Sequence, residues 1–151
     1  MKKYIFLVSL LFSSLVFAVD VPNSKVTPGD TFPGLALDKL CVSGYTSTVR
    51  NVTTAEKKKV LALYDLTRSR DGYCSGPQGC EIDHLISLEL GGSNDVKNLW
   101  PQPYDGTWNA RMKDRLENTM HKLVCTKKIT LKQAQTEISK DWKSAYKKYV
   151  K

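Results

Sequence analysis

The sequence lacks several features that would point to other classes of protein. It contains no Cys-x-x-Cys pair, no internal repeat and no low-complexity tract. Because Cys-x-x-Cys is a common spacing in structural zinc sites, its absence argues against zinc as the purpose of the cysteines. The uncharged, mostly apolar run from Tyr4 to Val19 is too short to cross a bilayer comfortably, so it does not predict a membrane-spanning helix.

The first residues are typical of a secretory signal peptide. Lys2 and Lys3 form a basic start, and Val16-Phe17-Ala18 presents small residues at the two positions that a signal peptidase reads. We predict cleavage after Ala18, so that residues 1–18 are removed and the chain is exported to the periplasm or the medium without a membrane contact. There is no cysteine near the cleavage site, which argues against a lipid-anchored form. A buried N-terminal helix is the alternative interpretation.

The excess of basic residues favours a polyanionic partner. The chain has 23 Lys and Arg against 15 Asp and Glu, which gives a formal net charge of +8. Removal of residues 1–18 takes away two lysines and leaves 21 basic residues (23 − 2), for a charge of +6 (21 − 15). The remaining 133 residues (151 − 18) suit one domain with one core. Charge alone does not choose between nucleic acid and anionic membrane.

The four cysteines predict two disulfides, because an even number in an exported chain is typical of a disulfide framework. Cys74 and Cys80 flank the turn-forming run 75–79, so we pair them with each other. Cys41 then pairs with Cys125 and ties the N-terminal segment to a helix end. A zinc site is the competing use of four thiols, and an oxidising compartment disfavours it.

The segment before residue 81 predicts little regular structure apart from one helix. Proline and glycine make 19–40 an irregular leader, and residues 44–52 alternate loosely, as in a short strand or an extended arm. Thr53 and Glu56 form a capping-box signature, which predicts a helix that continues to about Leu66.

The segment 81–124 predicts strand, turn, strand and helix. The run 81–90, which has alternating apolar residues, contains a first strand and leads into the turn-forming run 91–95. A second strand begins at Asn98 and is stopped by the prolines that follow it. A helix then starts at about Thr107, with apolar residues on one stripe.

A last helix follows, and the domain as a whole is α+β. Thr130 and Gln133 form another capping-box signature at its start. We therefore predict one domain over 41–151. Its functional core, residues 81–125, is a β-hairpin plus a helix, flanked by further helices and stabilised by disulfides.

Four polar residues mark this core. Asp83 and His84 end the first strand, Asn98 follows fourteen residues after His84 (98 − 84), and Asn109 comes eleven residues later (109 − 98). Asn109 has apolar residues three and seven positions after it, so we expect it on the packing face of the helix. An inward amide needs a partner, and a metal also bound by Asp83 would supply one. The alternative is that Asn109 only caps the helix.

These residue types suit the hydrolysis of phosphodiester bonds. The reaction needs a base for water and a positive charge for the leaving oxygen. A neutral imidazole near its ordinary pKa suits the first task. A hard divalent cation held by oxygen ligands suits the second.

The core resembles the HNH nuclease motif. The run from Glu81 to Asp95, EIDHLISLELGGSND, carries the resemblance together with Asn98-Leu99-Trp100-Pro101, and it is specific over residues 81–125. The stretch from Lys113 to Cys125 also resembles small exported bacterial HNH proteins. The resemblance implies the ββα-metal fold with one divalent ion, for which we expect magnesium, with manganese or another transition metal as alternatives.

The resemblance also implies a role for each of the four polar residues. His84 is the general base, Asp83 is a metal ligand, and Asn98 fixes the loop that carries His84. The third family position, usually histidine, falls on Asn109, where this sequence departs from the name-giving pattern. An asparagine occurs there in some branches of the family, and a ligand one or two residues away is the alternative.

Other charged residues extend the candidate site. Candidates for phosphate binding are Arg111, Lys113 and Arg115, for which a solvated helix face is the alternative. Candidates for supporting the metal ligands are Glu81, Glu117 and His121. Because the last two are one helical turn apart, an ordinary pair on the helix surface is their alternative.

We therefore predict an exported, metal-dependent endonuclease that hydrolyses DNA, with RNA as the alternative substrate. Its sequence preference should be low, because no separate module for reading bases is visible. The resemblance implies a 5′-phosphate product, and no obligate protein partner is evident. The rival functions are a non-catalytic exported DNA-binding protein on the same frame and a structural disulfide-bonded domain.

Overall fold

The computed structural model describes residues 20–66 and 78–150. These ranges form five helices and a two-stranded sheet: α1 Leu37–Leu40, α2 Tyr45–Val49, α3 Thr54–Leu63, β1 Cys80–His84, β2 Leu99–Pro103, α4 Ala110–Cys125 and α5 Leu131–Tyr149. The predicted signal peptide lies outside the described residues. Within the described ranges, no helix is both long and apolar enough to span a bilayer.

The capping signatures place two helices correctly. At the start of α3 the Thr53 hydroxyl accepts from the backbone N–H of Glu56 at 3.2 Å, and the Glu56 carboxylate accepts from the backbone N–H of Thr53 at 2.6 Å. This confirms the predicted capping box. At the start of α5 Thr130 accepts from the N–H of Gln133, but the Gln133 side chain donates to Glu137 instead of returning to the cap.

The prediction of a strand or extended arm over 44–52 is wrong. This segment contains the short helix α2, which Gly44 begins with a φ of +83°, and the backbone becomes extended only at Arg50. A helix of five residues is too short to show its period in the sequence, so loose alternation did not distinguish it from a strand.

The central hairpin is antiparallel, and its strands differ in length from the prediction. β1 ends at His84, and the chain then enters a 3-10 turn at Leu88–Leu90. β2 continues through both prolines, with Pro101 opposite Ile82 and Pro103 opposite Cys80. Because the sheet has two strands within the described residues, both strands are edges. A proline can therefore occupy β2 with its nitrogen outside the ladder.

The irregular leader packs onto the hairpin. Thr27 is buried, and its hydroxyl donates to the backbone oxygen of Leu99 at 2.9 Å. Thr31 forms an isolated antiparallel bridge with Gly92. Residues 20–36 contain no helix or strand apart from this bridge, whereas Leu37–Leu40, the last residues of the predicted irregular leader, form α1. The leader also contacts the loop between the two strands.

The main core lies between α4, α5 and the 3-10 turn. Its buried members are Leu40, Ile86, Leu90, Leu116, Met120, Val124, Ala134, Ile138, Trp142 and Ala145. The predicted Cys41–Cys125 disulfide is confirmed and joins the end of α1 to the end of α4. No described cysteine is free. Cys74 lies outside the described residues, so its pairing with Cys80 stays a prediction.

Candidate functional site

His84 is buried at the end of β1, and an asparagine determines which of its ring nitrogens carries the proton. The Nε2 of His84 lies 3.1 Å from the Oδ1 of Asn94. The Nδ2 of Asn94 donates to the backbone oxygen of Val49 at 2.7 Å, and its Oδ1 also accepts from the N–H of Asn51. Because the amide is oriented in this way, Nε2 donates to it. Nδ1, which has no hydrogen-bond partner among the described residues, is the atom that can accept a proton.

The surroundings of His84 favour its neutral form. Burial lowers the pKa of the imidazole from its ordinary value of 6.5. The nearby Asp83 carboxylate and the bond from Asn94 act in the opposite direction, and the positive charges of Lys113 and Arg50 lower the pKa further. The imidazole therefore titrates below its ordinary range and is neutral at pH 7.

Asn98 holds the loop that follows His84. Its side chain is fully buried, its Oδ1 accepts from the N–H of Ile86 at 2.9 Å, and its Nδ2 donates to the oxygens of Ile86 and Ser93 at 2.9 Å. Its Oδ1 also lies 3.3 Å from the N–H of Asp30. An amide carries both a donor and an acceptor, so one side chain can satisfy backbone groups from three segments.

Gly92 allows this loop to close. A Cβ atom at position 92 would lie 1.7 Å from the backbone oxygen of Ile86 and 2.8 Å from the Nδ2 of Asn98. The preceding Gly91 adopts a φ of +74° at the end of the 3-10 turn. The double glycine thus serves a close approach of two backbone segments as well as a turn.

Lys113 lies underneath the candidate site, and its predicted role in phosphate binding is wrong. The side chain is fully buried, and its Nζ donates to the Oδ2 of Asp83 at 2.7 Å and to the backbone oxygen of His84 at 2.6 Å. It also forms an ion pair with Glu117, one helical turn later on α4. A buried ammonium with three acceptors is not available to a phosphate, so Lys113 instead fixes the end of β1.

The buried charged groups of this cluster shift one another's pKa values. Burial acts to lower the pKa of Lys113, but the carboxylates of Asp83 and Glu117 outweigh it and raise the pKa above its ordinary value. Burial raises the pKa of Glu117; the Lys113 charge opposes this shift and the Asp83 charge adds to it. One ammonium is thus shared by two carboxylates, and Glu117 binds a proton more readily than an exposed glutamate does.

Two further carboxyl groups surround Asp83. Burial, and next the charge of Asp83, raise the pKa of both Glu81 and Asp114. The hydroxyl of Tyr104 donates to Glu81 at 3.0 Å. The side chain of Asp83 is 18% exposed, and its Oδ1 has no hydrogen-bond partner within the described part of the chain. Asp83 can therefore offer one oxygen to a ligand while Lys113 holds the other.

The sequence analysis did not single out three residues near the site. Arg50 lies close enough to His84 and Asp114 to lower the pKa of both groups. Asn94 was visible only as part of a turn-forming run, and Asp114 only as a polar residue of α4. Each acts through a contact with a distant segment, and local spacing carries no signal of such a contact.

Asn109 is the N-cap of α4 and does not share its packing face. Its Oδ1 accepts from the N–H of Met112 at 3.1 Å, and its Nδ2 donates to the backbone oxygen of Gly106 at 2.8 Å. The expected inward amide is wrong because α4 begins at Ala110, three residues later than predicted. One lone pair on Oδ1 remains for a ligand after this capping bond.

Arg111 and Arg115 are exposed on α4 and belong to a surface where cations lie over aromatic rings. The guanidinium of Arg111 lies 6.0 Å from the ring of Tyr104, and that of Arg115 lies 5.9 Å from the ring of Tyr146. Two lysines of α5 lie over Trp108. We call this the aromatic–basic surface, with members Tyr104, Trp108, Tyr146, Arg111, Arg115, Lys143 and Lys147.

His121 lies beside the disulfide, and no hydrogen bond or ion pair joins it to Glu117 among the described residues. One donor atom from each of Cys41, His121 and Cys125 lies within 4.8 Å of the others, a spacing that could hold a metal ion. Both sulfurs are, however, joined in the disulfide and are not thiolate ligands.

Comparisons of the chain with protein-family models, with characterised proteins and with solved structures gave no match.

Proposed function

We propose that the chain is an exported, metal-dependent endonuclease of the HNH type that hydrolyses DNA, with RNA as a further substrate. The observation that carries this proposal is the state of His84, a neutral imidazole whose Nε2 donates to Asn94 and whose Nδ1 is free to accept a proton. It stands next to Asp83 at the end of a hairpin strand that contacts α4.

His84 is the general base in this mechanism. Its Nδ1 takes a proton from a water molecule as that water attacks phosphorus, and the bond from phosphorus to the 3′-oxygen breaks, which leaves a 5′-phosphate. When the ring becomes an imidazolium, Asn94 still accepts from Nε2 and stabilises the added charge. Asn94 therefore acts as a positioning residue for the base.

The oxygen donors of Asp83, Asn109 and Asp114 are of the kind that a hard divalent cation prefers, and we propose magnesium. The Oδ1 of Asp83 is the first ligand, because Lys113 engages only Oδ2. Asn109 offers the second lone pair of its Oδ1, and the carboxylate of Asp114 is a further candidate that is sensitive to the charge of Asp83. Such an ion, when bound, would offset the charge that develops on the leaving oxygen.

Lys113 and Asn98 position the base without touching the substrate. Lys113 donates to the backbone oxygen of His84, and Asn98 bonds both backbone groups of Ile86, two residues later. Both side chains are fully buried. They fix the backbone on which the reacting groups are mounted, which is a requirement for efficient proton transfer.

The aromatic–basic surface is the proposed path of the nucleic acid. Its cations are suited to phosphate oxygens, and contacts of this kind give affinity with little sequence preference. The charge of Arg50 acts on His84 and lowers the pKa of its imidazole, and Arg50 is our candidate for the phosphate next to the cleaved bond. Binding should weaken steeply as salt is added.

A plasmid-nicking assay with magnesium, and with EDTA in a parallel sample, tests this proposal. Wild-type protein should nick the plasmid only with the metal. His84→Ala should abolish nicking while DNA affinity stays nearly intact, because the imidazole acts on water during the reaction and contributes little to ground-state binding. Asn118→Ala, on the exposed face of α4, is the control and should behave as wild type. Activity of His84→Ala within about threefold of wild type would exclude His84 as the base.

The capping role of Asn109 favours one rival, a DNA-binding protein without catalysis on the same frame. Both polar atoms of Asn109 already bond to backbone groups, which weakens the third metal position. This rival predicts DNA binding with no nicking at any concentration of magnesium or manganese, so the same assay distinguishes the two.

A further inference from the structure

A second group of reactive side chains lies toward the end of α4, apart from the cluster around Asp83. His121 and Cys125 are one helical turn apart and share a face of the helix. Cys41, at the end of α1, is brought to the same face by the disulfide. One donor atom from each of the three residues lies within 4.8 Å of the other two.

One ring nitrogen of His121, Nε2, is buried without a hydrogen-bond partner among the described residues. The Oε2 of Glu89 is in the same condition, and both residues line a cavity of about 390 Å³ that also borders Cys41 and Tyr45. A buried polar atom without a partner costs free energy. This end of the cavity is therefore suited to a bound group that can interact with a ring nitrogen and a carboxylate oxygen.

We propose that Cys41, His121 and Cys125 form a zinc site when the disulfide between the two cysteines is reduced. Zinc prefers thiolate and imidazole ligands in tetrahedral geometry, with bonds of about 2.3 Å to sulfur and about 2.0 Å to nitrogen. Such bonds place ligand atoms roughly 3.5–4 Å apart. The donor atom of His121 already lies within 4.8 Å of both sulfurs, whereas the sulfurs, which are bonded to each other in the disulfide, must separate by roughly 1.5–2 Å after reduction. A fourth ligand would enter from the cavity, which Cys41, His121 and Glu89 line.

The change from disulfide to zinc site is chemically balanced. A cellular dithiol supplies two electrons and two protons and is itself oxidised to a disulfide, while Cys41 and Cys125 become two thiols. Zinc binding then releases the two thiol protons to solvent and leaves two thiolates on the ion.

The zinc site would replace the disulfide cross-link between α1 and α4 by a metal cross-link between the same two cysteines. The disulfide closes a sequence separation of 84 residues and connects α1 to the helix that carries Lys113 and Glu117. In a reducing compartment that connection is lost unless the two sulfurs bind a common ion. The zinc site thus keeps α4 attached to α1 before the disulfide has formed, or after it has been reduced.

The test measures zinc taken up by the folded chain. Cys74→Ser/Cys80→Ser removes the other thiols, and a phosphine reductant avoids a competing thiol ligand. The phosphine becomes its oxide with oxygen from water, and the hydrogens of that water pass to the two cysteines. After incubation with zinc chloride and gel filtration, the reduced protein should carry one zinc per chain and the oxidised protein none. Zinc should also raise the melting temperature of the reduced protein.

Variants assign the ligands. In the same background His121→Ala should weaken zinc affinity at least about tenfold, and Cys41→Ser/Cys125→Ser should abolish binding. Asn118→Ala on the same helix is the matched control and should leave the affinity unchanged. Cobalt in place of zinc should give the charge-transfer absorption of two thiolate ligands in the reduced protein.

Three outcomes would overturn the site: no zinc uptake after reduction, equal uptake by the oxidised protein, or the same affinity in His121→Ala. If circular dichroism shows that the Cys74→Ser/Cys80→Ser background is unfolded, the full chain is used. In that case, equal uptake by reduced wild type and by Cys41→Ser/Cys125→Ser would overturn the site. These readouts are independent of nuclease activity.

Discussion

The Nε2 of His84 and the Oδ1 of Asn94 lie 3.1 Å apart, and this contact determines the chemistry of the candidate base. The two residues belong to different parts of the hairpin, and Asn94 is itself oriented by the backbone of Val49, 45 residues earlier. The proton on Nε2, and the lone pair on Nδ1, therefore depend on a residue that is not itself a candidate for proton transfer.

Substitution of Asn94 should move the pH profile of cleavage. The pKa of His84 is lowered, so the acid limb of kcat/KM should lie below the ordinary value of 6.5. Asn94→Asp places a carboxylate on Nε2 and should shift that limb to higher pH. Asn94→Ala removes a bond that raises the pKa, so it should shift the limb lower and slow cleavage on the order of 10²-fold. Identical acid limbs in the three proteins would separate Asn94 from the base.

Glu117 should make stability depend on pH in a direction that is unusual for an acid. Its folded pKa is raised, so the native state binds more protons than the unfolded state above the ordinary value of 4.5. Its contribution to the free energy of unfolding should therefore decrease as pH rises from 4.5 through the folded pKa. Glu117→Gln cannot titrate, so the stability of wild type relative to this variant should fall across that window. Parallel curves from urea titrations at several pH values would contradict the shift.

Removal of the buried ammonium should destabilise the fold strongly. Lys113→Met leaves Asp83 and Glu117 without their cation, and breaking a buried pair from one side costs about 3–5 kcal/mol. Lys122→Met, on the exposed part of the same helix, is the control and should change stability by about 0.5 kcal/mol or less. The measurement is the free energy of unfolding in urea at pH 7. Equal effects of the two variants would show that the buried charges do not hold the hairpin on α4.

Metal titrations should decide between Asn109 and Asp114 as the ligand that accompanies Asp83. If Asn109 is a ligand, Asn109→Ala raises the metal concentration for half-maximal cleavage, and saturating metal recovers part of the rate. Asn109→His should then retain activity and shift preference toward manganese, cobalt or nickel. An unchanged midpoint, with a loss of about 1 kcal/mol in stability, assigns Asn109 to capping alone. Asp114→Asn should then be the variant that moves the midpoint.

Loss of the Cys41–Cys125 disulfide should cost a large share of the stability. The bond closes a separation of 84 residues, and chain entropy gives about 4–5 kcal/mol for a loop of that length. Cys41→Ala/Cys125→Ala, compared with oxidised wild type in zinc-free urea titrations, measures the effect. A change below about 1 kcal/mol would mean that native strain or residual structure in the unfolded chain offsets the entropy.

Part of the fold and of the candidate site could be predicted, because the signals are local. The Thr53–Glu56 capping box depends on groups three residues apart, and it forms as the sequence indicates. The Cys41–Cys125 pairing followed once a turn-forming run had been assigned to the other two cysteines. The adjacent Asp83 and His84 lie at the end of a strand in the structure as in the prediction, although that strand is shorter.

The failures at Lys113 and Asn109 have a common physical cause. Lys113 looked like a surface cation, and its burial follows from the simultaneous approach of Asp83 and Glu117, of which Asp83 is 30 residues away. Asn109 looked like a packing residue because the start of α4 was placed too early. Neither error could be corrected from the sequence, because residue spacing and local helix propensity do not indicate which distant groups a side chain contacts.

The sequence by itself determined several local elements of this protein: the hairpin followed by α4 and α5, the N-cap residues Thr53 and Thr130, and the succession of Asp83, His84 and Asn98 along the chain. Tertiary structure alone decided that Asn94 bonds His84, that Lys113 becomes a buried counter-ion, and that His121 lies beside the disulfide and not in the cluster around Asp83. The reason is that protonation and burial depend on charges and donors from segments far apart in the chain, and their positions exist only once the core has packed.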